Sequence, residues 1–187
     1  RLSGTGAADF IDILLMPMTG TPTTEAQNSP EPGTGYQSAF SHDQESARPG
    51  YYQVMLQNYG IQAELTATNR VGIHRYTYPE GSDSHVILDL DHSANKGSWG
   101  RRIINSQIRI VDPQTIEGYR IITGWAKLRK IYFQIKFSKP MVSSYLTDGG
   151  RKHENTTVIN GTNLRAAFTF ANKDRHPLVA KVALSPV

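Results

Sequence analysis

Few stretches of this sequence gather the side chains that chemistry needs. Ser41-His42-Asp43-Gln44-Glu45 packs an imidazole and four further polar or acidic groups into five residues. General acid–base work or metal binding wants such groups converging on one pocket. A solvated turn ahead of the strand at Tyr51 would use the same residues, and both readings stand. Asp89, Asp91 and His92 offer oxygen and nitrogen ligands at a strand end, with both carboxylates on one face. A pair of this kind more often lies on the solvent face or tethers a turn through Asx bonding. Ser3-Gly4-Thr5-Gly6 could bring backbone N–H groups and hydroxyls against a ligand, because glycine permits close approach. It lacks the Lys-Ser/Thr ending of a phosphate loop and leads into a strand, so taken alone a structural turn is the plainer reading.

Arg120, Lys127, Arg129, Lys130, Lys136 and Lys139 lie in a stretch without acids, interleaved with Tyr119, Trp125, Tyr132 and Phe133. Cations and rings together could bind a polyanion, with rings stacking on bases. Strand alternation instead predicts a charged outer face over an aromatic core, and no nucleic-acid partner is expected. Trp99, among Lys96, Gly97, Ser98 and Gly100, could be an exposed sugar-stacking platform, whereas Trp125 reads as core. The sequons at Asn155 and Asn160 matter only in a glycosylating secretory pathway.

Several reaction classes leave no trace. Glycoside cleavage needs two carboxylates held roughly 5 to 10 Å apart. The 16 acidic residues single out no such pair. A Gly-x-Ser-x-Gly elbow and a His-Glu-x-x-His helix are both absent. Without cysteine, thiolate catalysis, structural disulfides and Cys-based zinc sites are excluded from this chain.

What must position these residues is a β framework. Length, 187 residues, fits one sandwich-type domain, and 38% apolar residues suffice for a core. A formal charge of +4, from 20 basic and 16 acidic residues, is too small to single out an acidic partner. No apolar run approaches the ~20 residues of a membrane helix. Period-two alternation dominates: Ile61, Ala63, Leu65 and Ala67 alternate with Gln62, Glu64, Thr66 and Thr68. A hairpin turn at Asn58-Tyr59-Gly60 joins this strand to Tyr51–Gln57. Other expected strands are Phe10–Met16, Val71–Tyr78, His85–Leu90, Ile103–Val111, Thr115–Thr123, Ile131–Phe137, Leu164–Phe170 and Leu178–Leu184. About ten short strands with Gly, Pro, Asn and Asp between them predict an all-β, antiparallel two-sheet β-sandwich with little helix. Thr19–Gly35 and the polar stretch Ser143–Asn163 read as long loops. Both ends look cut, at a Gly-containing loop and at a terminal strand, so residues 1–187 are expected to be a single sandwich domain of something larger.

Several stretches in order resemble the N-terminal domain of glycoside hydrolase family 92, the bacterial exo-acting α-mannosidases. They are Leu2-Ser3-Gly4-Thr5-Gly6 with Asp12-Ile13-Leu14-Leu15-Met16-Pro17; Phe40-Ser41-His42 with Glu45; and Pro49-Gly50-Tyr51-Tyr52. Ala63-Glu64-Leu65-Thr66-Ala67-Thr68, Arg70-Val71-Gly72 and His74-Arg75-Tyr76 follow. Gly118-Tyr119-Arg120, Gly124-Trp125, Tyr132-Phe133 and Phe137-Ser138-Lys139-Pro140 complete the set, while Arg1 stands where the family commonly has His. The resemblance implies a supersandwich-like, galactose-mutarotase-like domain packed against a C-terminal (α/α) barrel domain. It implies a sugar pocket between the two, with mannose-containing glycans hydrolysed by inversion. The calcium ion (Ca2+) and the catalytic carboxylates would then belong to the helical domain, with no catalytic residue and no metal ligand on this chain. Ser3, Gly4, Thr5, Gly6, His42 and Glu45 become expected contributors to the pocket rim or domain interface. A periplasmic, secreted or cell-surface location follows from the same resemblance. The rival expectation is a stand-alone carbohydrate-binding module using Trp99 or the Thr19–Gly35 loop.

Overall fold

A computed structural model describes residues 12–25, 35–92, 102–124, 126–174 and 176–186. Among them, fourteen strands and a single 3₁₀ turn are formed. In chain order the strands are β1 (Leu14–Met18), β2 (Glu45–Arg48), β3 (Tyr51–Leu56), β4 (Ile61–Ala67) and β5 (Val71–Thr77). Next come β6 (Ser84–Asp89), β7 (Arg102–Asp112), β8 (Thr115–Thr123), β9 (Arg129–Phe137) and β10 (Met141–Asp148). The last four are β11 (Arg151–His153), β12 (Val158–Gly161), β13 (Leu164–Phe170) and β14 (Leu178–Ser185). All pairings are antiparallel. They build a five-stranded sheet, β1-β6-β13-β10-β11, and a nine-stranded one, β12-β7-β8-β9-β14-β5-β4-β3-β2.

The large sheet obeys the two-residue period. In β9, Ile131, Phe133, Ile135 and Phe137 point inward while Lys130, Tyr132, Gln134 and Lys136 are exposed. Of the inward residues, Phe133, Ile135 and Phe137 share one core cluster with Leu88, Leu146, Phe168 and Phe170 from the small sheet. Phe137 sits 4.8 Å from Phe170 and 6.0 Å from Phe168 between ring centres, at the tilted angles aromatic pairs prefer. The small sheet is buried on both faces where β6 runs, because Met18 and Tyr36 cover Ile87 and Ala167 on its outer side. That second cover explains why β6 reads as a continuous buried run rather than an alternation. Edges are short: β2 and β12 each have four residues and β11 three. Pro17 sits in edge strand β1, where a missing N–H is tolerated.

Two expectations need correction. Ser143–Asn163 is not a loop, for it contains most of β10, all of β11 and β12, and the tight turns between them. Gly149 and Gly150 both take positive φ, 57° and 87°, with Asp148 paired to Arg151 across them. Such a two-residue turn matches strand twist, and β10 looked loop-like only because its outer face is hydroxyl-rich. The expected strand from Phe10 is observed as Leu14–Met18, its first two residues lying outside the described residues.

His74 lies inside β5, its Nδ1 2.7 Å from the buried Tyr76 hydroxyl and its ring edge-on to Tyr76. Burial depresses its pKa to about 4, so the folded chain holds the ring neutral while an unfolded chain protonates it near 6.5. The folded state therefore gains relative stability as pH rises from 4 to 6.5 and loses it as pH falls. Between pH 7.5 and 5 the loss from this residue is about 2 kcal/mol. Urea midpoints at the two pH values should show it, and His74→Gln should flatten that part of the dependence. An unchanged slope in the variant would refute the assignment.

Candidate functional site

The sequence-predicted pair His42 and Glu45 does converge. The segment before them is tied to the β3–β4 turn: Ala39 N–H donates to Asn58 Oδ1 (2.6 Å) and Gln57 N–H to the Ala39 carbonyl (3.0 Å). Ser41 then caps the 3₁₀ turn His42–Gln44 by accepting from the Asp43 N–H. One turn of chain brings His42 Nδ1 to 2.5 Å from Glu45 Oε2. Across the β2–β3 hairpin, the Tyr52 hydroxyl donates to Glu45 Oε1 at 2.6 Å. Tyr52 first, then His42, holds the Glu45 carboxyl below its ordinary pKa. Burial, then Glu45 itself, pushes the Tyr52 phenol up to about 12.

Glu45 is thus a positioning carboxylate with both oxygens engaged. The His42 side chain is 87% exposed, and Phe40, 53% exposed, meets its ring edge-on at 5.7 Å. An oriented imidazole beside an exposed ring can hydrogen-bond a ligand hydroxyl and cover an apolar sugar face. Ser3, Gly4, Thr5 and Gly6, like Trp99 and Trp125, lie outside the described residues.

Asp89 and Asp91 are taken up by the fold. Asp89 Oδ1 accepts from the backbone N–H groups of Asp91 (2.6 Å) and His92 (3.0 Å), the Asx tether expected at a strand end. The solvent-face alternative fails, because Asp89 is only 1% exposed. Its Oδ2 accepts from the Tyr36 hydroxyl and faces Arg165 Nε at 3.2 Å, an ion pair short of hydrogen-bond geometry. Arg165 Nη2 reaches Asp91 Oδ2 at 2.8 Å. Burial lowers the Arg165 pKa and Asp89 raises it, and the net guanidinium pKa is higher than usual. Among the described residues no three carboxylate or imidazole groups converge as a metal site.

The basic strip is also corrected. Arg120 is buried, donating to the carbonyls of Asp12 (2.7 Å) and His92 (3.0 Å). Arg129 grips the Asp12 carboxylate with both Nη atoms, at 2.6 and 3.2 Å. Lys139 is held by Asp174 (2.5 Å) and the His176 carbonyl. Tyr119 and Tyr132 are register partners with rings 6.2 Å apart, and Tyr132 shares the exposed phase of β9 with Lys130 and Lys136. Alternation separates Tyr132 from Phe133, not rings from cations as a class.

The structure is thus a two-sheet antiparallel β-sandwich that carries an exposed imidazole hydrogen-bonded to a carboxylate, itself held by a phenol. The glycosyl hydrolase family 92 N-terminal domain matches residues 1–185, and the chain belongs to that family. The family GH92 α-mannosidase BT3965 from Bacteroides thetaiotaomicron, solved with mannoimidazole, is 33% identical with a TM-score of 0.89. It is matched over 100% of this chain and 25% of its own. The GH92 family glycosyl hydrolase ccman5 is 28% identical at a TM-score of 0.72, over 94% of this chain and 24% of its own. The inverting mannosidase BT2199 from the same Bacteroides species shares the fold at 24% identity and a TM-score of 0.72, over 94% of this chain and 22% of its own. No curated protein sequence matches. The chain therefore spans about a quarter of the length of these solved relatives. No helix among the described residues is long and apolar enough to cross a membrane.

Proposed function

We propose that this chain is the sandwich part of a calcium-dependent, inverting exo-α-mannosidase that removes terminal α-mannosyl residues from glycans outside the cytoplasm. The observation that carries it is the likeness, over the whole of this chain and a quarter of the other and at 33% identity, to an α-mannosidase solved with mannoimidazole. In this reading the sandwich forms one wall of the sugar pocket. His42, oriented by Glu45 and Tyr52, and the Ser3–Gly6 segment supply rim contacts that bind and orient the sugar. The acid and base carboxylates belong to a helical (α/α) barrel domain of the same protein. So does the calcium ion.

An α-mannoside assay tests this on the 187-residue chain and on the longer protein that carries it. The longer protein is expected to turn over and lose activity on chelation, whereas the chain alone is expected to give none. In the longer protein, His42→Ala should raise KM more than it lowers kcat. Clear turnover by the isolated chain would overturn the location of the carboxylates.

A further inference from the structure

On the outer side of the five-stranded sheet, the threonine-rich segment 21–25 stands over β10, β11 and β13 and leaves a cleft of about 640 Å³. This lies toward the side where β10 stacks near β12, whereas His42 and Glu45 belong to the opposite edge of the other sheet. From the geometry and chemistry of its lining, we propose that this cleft binds a neutral saccharide of about two rings.

Size is the first argument, because clefts of ~300–1,000 Å³ hold drug-sized ligands. Lining is the second. The Thr147 and Thr169 hydroxyls are already engaged with the Arg165 carbonyl and His85 Nδ1. Thr21, Thr23 and Ser143 line the cleft from segment 21–25 and the outer face of β10, and hydroxyls both donate and accept. A polyol is the ligand that uses both. Tyr145 adds a ring, and its hydroxyl donates to the Pro22 carbonyl at 3.0 Å, fixing segment 21–25 against the sheet. The third argument is charge. Two cations, Lys152 and Arg165, meet two acids, Glu25 and Glu154, so the wall is balanced. Both cations are already paired, Lys152 with Glu154 at 2.7 Å and over the Tyr145 ring at 4.4 Å, Arg165 with Asp89 and Asp91. An anion would have to displace those pairs, while a neutral hydroxyl-rich ligand would not.

Calorimetric titration of the protein carrying this chain tests the proposal, using maltose, lactose and a thio-linked mannobiose that glycosidases do not cleave. At least one is expected to bind saturably in the millimolar range. Ser143→Trp and Thr21→Trp, both at exposed wall positions, should each weaken that binding by at least about tenfold while leaving the unfolding midpoint unchanged. No saturable binding, or binding that both plugged variants retain, would overturn it. So would inorganic phosphate binding that both variants abolish. The proposal does not rest on the mannosidase reading, since a protein failing the mannoside assay could still pass this titration and the reverse.

Discussion

Gly118→Ala is expected to cost the fold about 3 kcal/mol or more, beyond the usual range for a small surface change. Gly118 sits in mid-strand β8, facing Phe133 on β9 and Ile108 on β7. A Cβ there would lie 1.9 Å from the Gln107 carbonyl oxygen and 2.8 Å from Phe133 Cζ. The ring could swing aside, but the carbonyl belongs to the paired backbone of β7 and can yield only if the ladder opens. Shrinking the ring therefore should not rescue the variant, and Gly118→Ala/Phe133→Leu is expected to be less stable than Gly118→Ala alone. Urea midpoints at pH 7 measure both, and a loss below about 1 kcal/mol for Gly118→Ala would refute the account.

The contrast between β8 and β10 shows which parts of this fold the sequence displays. The bounds of Thr115–Thr123 are legible, since a run rich in β-branched residues between turn residues reads as a strand. β10 is hidden because its outer face is Ser143, Tyr145 and Thr147 and its far end turns through Gly149-Gly150, which together mimic a loop. β12, Val158–Gly161, hides for a related reason, as its Asn160-Gly161 reads as a turn though it pairs with Gln107 and Ser106. Arg120 could have been placed by phase alone: it shares the inward set with Ile116, Gly118 and Ile122. What no period shows is its partner, because Asp12 is 108 positions away in the chain. The candidate cluster divides the same way. His42 and Glu45 are three apart and legible as neighbours, but the Tyr52 hydroxyl that engages the second oxygen of Glu45 arrives only through the β2–β3 hairpin.

Arg165→Leu should destabilise the chain by about 3–5 kcal/mol, because it strands a buried carboxylate without its cation. Asp89 is 1% exposed, and after the substitution only the Tyr36 hydroxyl and two backbone N–H groups would remain around it. The sign of a second substitution separates this cause from simple loss of packing. Asp89→Asn removes the charge while keeping an oxygen for the Asp91 and His92 N–H groups. The double variant Asp89→Asn/Arg165→Leu should therefore be more stable than Arg165→Leu alone, by at least about 1 kcal/mol. Equal or lower stability would mean that Arg165 acts through its stem rather than its charge. The effect should also spread beyond the pair. Asp89 fixes the backbone of residues 91 and 92, and Arg120 donates to the His92 carbonyl as well as to that of Asp12. Loosening Asp89 thus releases one arm of Arg120, and hydrogen exchange at the amides of Asp91 and His92 should accelerate before the β8–β9 ladder is affected.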